Sequence, residues 1–114
     1  MNSPNTIFEK PSLLYTESPI IITHDEFLKG TSRVKATYPG KAGDTLSFYL
    51  VADDAYTLRK WQINLNDRPD YATTITKPME WEFVGKQICV FFDVFRDSEL
   101  LGRSKGFSFT ILDK

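Results

Sequence analysis

The residues able to do chemistry in this chain are few and poorly spaced for it. His24-Asp25-Glu26 sets the sole histidine beside two carboxylates, types that could hold a metal ion or relay a proton. Neighbouring residues of an extended strand face opposite ways, and no second histidine completes a ligand set. A structural or solvated role is expected for all three. Cys89 is the sole cysteine. A nucleophilic thiolate needs an electropositive, accessible setting, whereas Cys89 stands inside the most apolar stretch and is expected to pack as a small hydrophobe. Asp53-Asp54 and Asp67…Asp70 are clustered oxygens of the kind calcium takes. Their spacing fits no EF-hand loop, and aspartate is an ordinary turn former. Gly102-Arg103-Ser104-Lys105-Gly106 lacks phosphate-loop spacing and reads as the flank of a hairpin. No catalytic residue, metal site or cofactor is expected.

Flat aromatic side chains offer the other available chemistry, stacking against sugars or protein. Tyr49, Phe91 and Phe95 alternate with the expected core residues Phe48, Phe92 and Val94, so they stand on the opposite face of their strands. Left uncovered, such a patch marks an interface. Cover by Met1–Gly30 or by neighbouring strands would remove it. These three aromatics, with Asp67 and Asp70 in a loop, are the candidate binding residues. Trp61 and Trp81 are expected in the core.

The elements that must position these residues are strands. Ile20–Thr23 is β-branched after Pro19 and reads as the first full strand. His24–Gly30 has the charges and terminal glycine of at most one helical turn. Val34, Ala36 and Tyr38 alternate with Arg33, Lys35 and Thr37, the pattern of a half-buried strand. Pro39-Gly40 and Gly43-Asp44 signal turns. In Thr45–Val51, Leu46, Phe48 and Leu50 share the core face. Tyr56–Leu65 is a strand with Trp61, Ile63 and Leu65 on one side. After the loop Asn66–Asp70 come short strands over Tyr71–Thr76 and Met79–Val84, the second with Met79, Trp81 and Phe83 on one face. Gln87–Arg96 is apolar on both faces, as in a central or doubly covered strand. Asp97–Gly102 is expected as a hairpin loop, and Ser104–Leu112 as the last strand, with Phe107, Phe109 and Ile111 inward.

That is about seven to nine short strands with frequent turns, the pattern of an all-β sandwich or barrel. No gap between strands has room for a crossover helix, which sets aside a parallel α/β sheet. Residues 1–12 are polar, with Pro4 and Pro11, and are expected to form a flexible arm that can add one edge strand to a single domain over 13–114. The aromatic content of 14% favours pleated surfaces. A net charge of −1 offers no basic excess for phosphates, so nucleic acid is not an expected partner. One cysteine allows no internal disulfide. The N-terminus shows no signal peptide, and no apolar run reaches the ~20 residues of a membrane span.

From Tyr38 onward the chain is similar to the immunoglobulin-like repeat domains of large bacterial surface proteins and adhesins. The likeness rests on Tyr38–Leu46 with its Gly43-Asp44 turn, then the strand Leu46-Ser47-Phe48-Tyr49-Leu50. It continues in Trp81-Glu82-Phe83, Gly85-Lys86-Gln87, Val90–Arg96 with its closing arginine, and Phe107–Leu112. The resemblance implies an immunoglobulin-like antiparallel β-sandwich that adheres, spaces or binds protein, without chemistry of its own. The expected function is a non-catalytic binding or spacer module with a protein or glycan partner. The alternatives are a carbohydrate-binding sandwich and a small inhibitor or toxin-like binder that inserts a loop. Edge strands leave homodimerisation open. A free-standing chain would be soluble and cytoplasmic; one module of a larger chain would lie at the cell surface or be secreted.

Overall fold

The computed structural model describes residues 6–38, 41–54, 56–67, 70–75 and 81–114. Among these residues ten strands form two sheets: β1 (Thr6–Phe8), β2 (Ser12–Leu14), β3 (Ile21–Ile22), β4 (Arg33–Thr37), β5 (Thr45–Ala52), β6 (Leu58–Asn64), β7 (Asp70–Thr74), β8 (Gln87–Arg96), β9 (Glu99–Ser104) and β10 (Phe107–Ile111). One helix, α1 (His24–Lys29), and one 3₁₀ turn, Trp81–Phe83, complete the elements. The fold is an all-β sandwich.

β8 is the axis of the larger sheet. Its even positions Ile88, Val90, Phe92 and Val94 are all 0% exposed. β5 pairs antiparallel along one edge of β8 from Ala52/Ile88 to Thr45/Phe95, and β6 continues the sheet beyond β5. The other edge of β8 is shared. β9 takes Asp93–Arg96 and β10 takes Gln87–Val90. Between the pairs Asp93/Arg103 and Val90/Phe107, the β9–β10 side carries one residue more than β8, so the two strands act as one edge broken by a bulge. The Ser104 hydroxyl fills the break: Phe92 N donates to Ser104 Oγ at 2.9 Å, in place of the ladder carbonyl. Outside this edge β1 pairs parallel with β9, and β3 parallel with β10.

The smaller sheet is β2–β4–β7, antiparallel throughout. The N-terminal segment thus crosses from one sheet to the other and back, through β1, β2 and β3. Leu46, Phe48 and Leu50 of β5, the four even residues of β8, and Phe109 and Ile111 of β10 meet Val34 and Ala36 of β4 and Tyr71 of β7 in one buried core. Phe8 stacks on Phe92 at 5.8 Å and meets Tyr38 edge-on at 5.1 Å. Tyr71 closes a corner: its hydroxyl donates to Asn66 O and accepts from Asn66 N, pinning the chain before β7.

The sandwich is mostly antiparallel, as expected, and two N-terminal strands, β1 and β3, add to it in parallel. Several expectations change. Within the segment expected as an arm, Thr6–Phe8 is a strand of the larger sheet. Only Ile21–Ile22 of the expected strand Ile20–Thr23 pairs, because Thr23 caps a helix. Helix α1 exceeds the expected single turn. Its capping box has Glu26 N donating to Thr23 Oγ1 at 3.2 Å and Thr23 N to Glu26 Oε1 at 2.9 Å. Gly30, at φ 68°, ends it in the left-handed conformation. In place of the expected strand Met79–Val84, Trp81–Phe83 is a 3₁₀ turn, whose period of three separates residues that a strand would align. Phe83 is buried, but Trp81 is 56% exposed and only leans on Phe27 at 6.0 Å, contrary to its expected place in the core. Trp61 is half-buried against the core. The expected loop Asp97–Gly102 shrinks to Asp97-Ser98, both at positive φ as a two-residue type I′ turn requires, and β9 begins at Glu99. The Pro39-Gly40 turn, Pro69, and Thr76 to Glu80 lie outside the described residues.

Candidate functional site

The outward face of the larger sheet brings together the aromatic candidates. Register places Lys60, Tyr49 and Phe91 in one cross-strand row. Tyr49 and Phe91 stack at 5.0 Å and 19°. Lys60 Nζ lies 5.4 Å from the Tyr49 ring centre, and the Arg103 guanidinium 4.7 Å from that of Phe91. Arg103 is held in turn by Asp93, donating from Nε to Oδ1 at 2.7 Å and from Nη2 to Oδ2 at 3.0 Å. This bidentate carboxylate contact raises the Arg103 pKa further. The result is a ladder, Lys60–Tyr49–Phe91–Arg103–Asp93, in which both faces of each ring are already occupied. Such rings present edges to a ligand, not the open face that a sugar needs.

Phe95 stands apart. Among the described residues its ring takes part in neither an aromatic stack nor a cation contact. It walls an open cleft of about 480 Å³ with Thr45, Lys60 and Gln62 from the sheet face. Gly43 and the turn residues Asp97 and Ser98 form the rim. Next to this lining, between its cross-strand partners Gln62 and Asp93, lies Ser47, 0% exposed. By strand alternation its hydroxyl points to this outward face, and among the described residues Ser47 Oγ has no hydrogen-bond partner.

The rim of the cleft is braced from below. Asp44, 2% exposed, accepts from Arg96 Nε at 2.8 Å, from Arg96 Nη2 at 3.0 Å and from Tyr38 Oη at 3.0 Å. The Arg96 contact is the main cause that holds the Asp44 carboxyl below its usual range, and burial is the main cause that pushes the Tyr38 hydroxyl up. Gly43 precedes Asp44 and Asp97 follows Arg96, so one ion pair, buried at Asp44 and half-exposed at Arg96, ties together the two turns that form the rim. A smaller hollow of about 220 Å³ lies over the same pair.

The other candidates serve the scaffold. Asp67, exposed, accepts from Ala42 N at 3.2 Å and so steadies the turn before Gly43. Asp70 opens β7 opposite Thr37, away from Asp67's contact. Asp54 gathers its own loop, accepting from Tyr56 N, Thr57 N, Thr57 Oγ1 and Lys86 Nζ. These contacts, Lys86 first, hold its carboxyl far below the usual range. Glu26 caps α1, and the Thr23 backbone amide keeps its pKa low. His24 begins the same helix, with Nδ1 buried and without a hydrogen-bond partner among the described residues. Cys89 is half-buried on β8, facing Gly106. Thr45, Lys60, Gln62, Asp97 and Ser98 escape sequence reasoning, because only the β5–β6 and β5–β8 registers bring them to one place. No family model, curated protein or solved structure matches this chain.

Proposed function

We propose that this chain is a non-catalytic, immunoglobulin-like binding module that meets its partner on the outward face of the larger sheet, at the end formed by Thr45 and Phe95. The observation that carries this reading is the cleft there, whose rim is held by the half-exposed Arg96 on the buried Asp44. A preformed, braced surface spares the ordering cost of binding. Four carboxylates are committed elsewhere: Glu26 to a helix cap, Asp54 to its loop, Asp44 and Asp93 to arginines. The immunoglobulin-like part of the proposal draws on strand arrangement. β2–β4–β7 against β6–β5–β8–β9/β10 follows the A-B-E and C′-C-F-G order of variable-type domains. Asp44 and Arg96, two residues that carry the sequence resemblance, meet in one ion pair.

Site-specific photo-crosslinking tests the reading. A benzophenone side chain at Asn64, exposed on the cleft side of β6, should capture a partner from extracts or surfaces of the source cells. The same group at Thr37, exposed on the smaller sheet, should not. Capture from Thr37 alone, or from neither position, refutes the proposed face. An immunoblot of fractionated cells supplies the context: a band at the size of this chain is a free-standing binder, and a much larger surface band an adhesin-type module.

A further inference from the structure

Resting on that binding-module reading, we infer that the cleft beside Phe95 takes a neutral saccharide of one or two units. Three independent features of the face converge on this ligand class. Phe95 is the one outward aromatic of the three candidates whose ring is free of stacking and cation contacts, so it can receive the apolar C–H face of a sugar. Tyr49 and Phe91 cannot, because Lys60, Arg103 and their own stacking take their faces.

The polar groups around Phe95 fit hydroxyls. Thr45 and Ser98 both donate and accept, the Gln62 amide does both at separate atoms, Lys60 donates and Asp97 accepts. Among the described residues of the lining one cation, Lys60, balances one anion, Asp97, which favours a neutral ligand over an acidic one. A volume of about 480 Å³ lies in the range of small-molecule sites.

Ser47 adds the third feature. Its hydroxyl is fully buried between Gln62 and Asp93, without a partner among the described residues. Buried polar groups are normally satisfied, and each exception asks for a reason. Ser47 lies next to the cleft lining and not in it, so a sugar hydroxyl supplies the missing partner once its neighbour Gln62 turns toward the ligand.

The purified full chain should be applied to a printed array of neutral and acidic oligosaccharides, and the best neutral hit titrated by calorimetry. Phe95→Ala and Gln62→Ala should each weaken binding at least about tenfold. Ser47→Ala should weaken it about threefold to tenfold while leaving thermal stability unchanged or improved, since it deletes an unsatisfied buried group. Leu58→Ala, exposed on the same strand outside the cleft, should bind as wild type. Phe95→Leu keeps the volume but removes the ring, and guards against an alanine variant that fails to fold. A blank array, binding of acidic glycans only, or a neutral hit indifferent to both Phe95 and Gln62 variants overturns the inference. A blank array with crosslinking from Asn64 to a protein overturns the saccharide and leaves the module reading standing. Loss of both signals overturns both.

Discussion

Replacing Ser104 with alanine removes the acceptor for Phe92 N at the point where β9 gives way to β10. Phe92 is 0% exposed and Ser104 6%, so water has little access to the orphaned amide. The bulge there leaves no backbone carbonyl in register: Arg103 is matched to Asp93, and the next pair is Phe107 with Val90. A buried donor without a partner costs about 1–3 kcal/mol. Against a typical stability of about 5–15 kcal/mol this is a large fraction. At about 4 °C per kcal/mol for a chain of this length, Tm should fall by about 4–12 °C. Ser108→Ala, on the exposed side of β10, makes the same chemical change without the buried donor and should stay within about 0.5 kcal/mol of wild type. Thermal and urea melts give the stabilities, and amide hydrogen exchange reads Phe92 directly, with protection dropping selectively in Ser104→Ala. If Ser104→Ala melts with wild type while the Phe92 amide stays protected, the amide has another acceptor, and the reasoning about the bulge is wrong.

Asp44→Asn should flatten the acid limb of stability. The folded carboxyl is held below its unfolded value, chiefly by Arg96, so its contribution is present above the ordinary carboxylate pKa of about 4 and lost as pH falls through the lowered folded value. The wild-type urea midpoint should therefore fall as pH drops below about 4. Asp44→Asn should start lower at neutral pH and fall less steeply, keeping the share due to Asp54 and Glu26; parallel profiles would count against the pairing. Gly106→Ala places a methyl 3.1 Å from Cys89 Sγ, so the thiol must give by a few tenths of an ångström, and Cys89→Ala should make the substitution more favourable in a double-mutant cycle. Additive effects would mean that the crowding lies elsewhere. Ser98→Gly relieves a positive φ of 66° in the β8–β9 turn and should gain up to about 1 kcal/mol in a urea melt, while no gain would show the turn to be unstrained.

Strand pattern was legible where one face is buried and the other wet. Val34 and Ala36, Leu46 to Leu50, Ile88 to Val94 and Phe107 to Ile111 all occupy the side that alternation assigns. Local pattern misled where the backbone left the period of two. Trp81 and Phe83 look like one face of a strand, yet a 3₁₀ turn buries one and exposes the other. Asp97 to Gly102 looked like a loop because the glycine and charges suggested one, whereas a two-residue turn with positive φ at both positions needs far less chain. The candidate site was half legible for a related reason. Alternation placed Tyr49, Phe91 and Phe95 outward, but which rings stack and which stay free depends on register. Register is a property of strand pairs, and no single strand carries it.

That register also explains how a strand apolar on both faces can form part of a two-layer fold. A both-sided strand ordinarily needs a layer on each side. β8 has the core on one side, and on the other its neighbours' own side chains give cover: Lys60 and Arg103 lie over the Tyr49–Phe91 pair, and Asp93 fixes Arg103. Cationic side chains cover rings well, since the stem packs while the head stays wet. The cover reaches from β6 across to β9 only along the row of Tyr49 and Phe91 and the row of Asp93. Two residues further along β8, at Phe95, the partner on β9 is Leu100, beyond the irregularity at Val94/Phe95, and no cation closes over the ring. The bulge that re-aims β9 therefore also ends the ladder. Past the irregularity, the Phe95 ring and the cleft beside it lie without the cover that the Tyr49–Phe91 row receives.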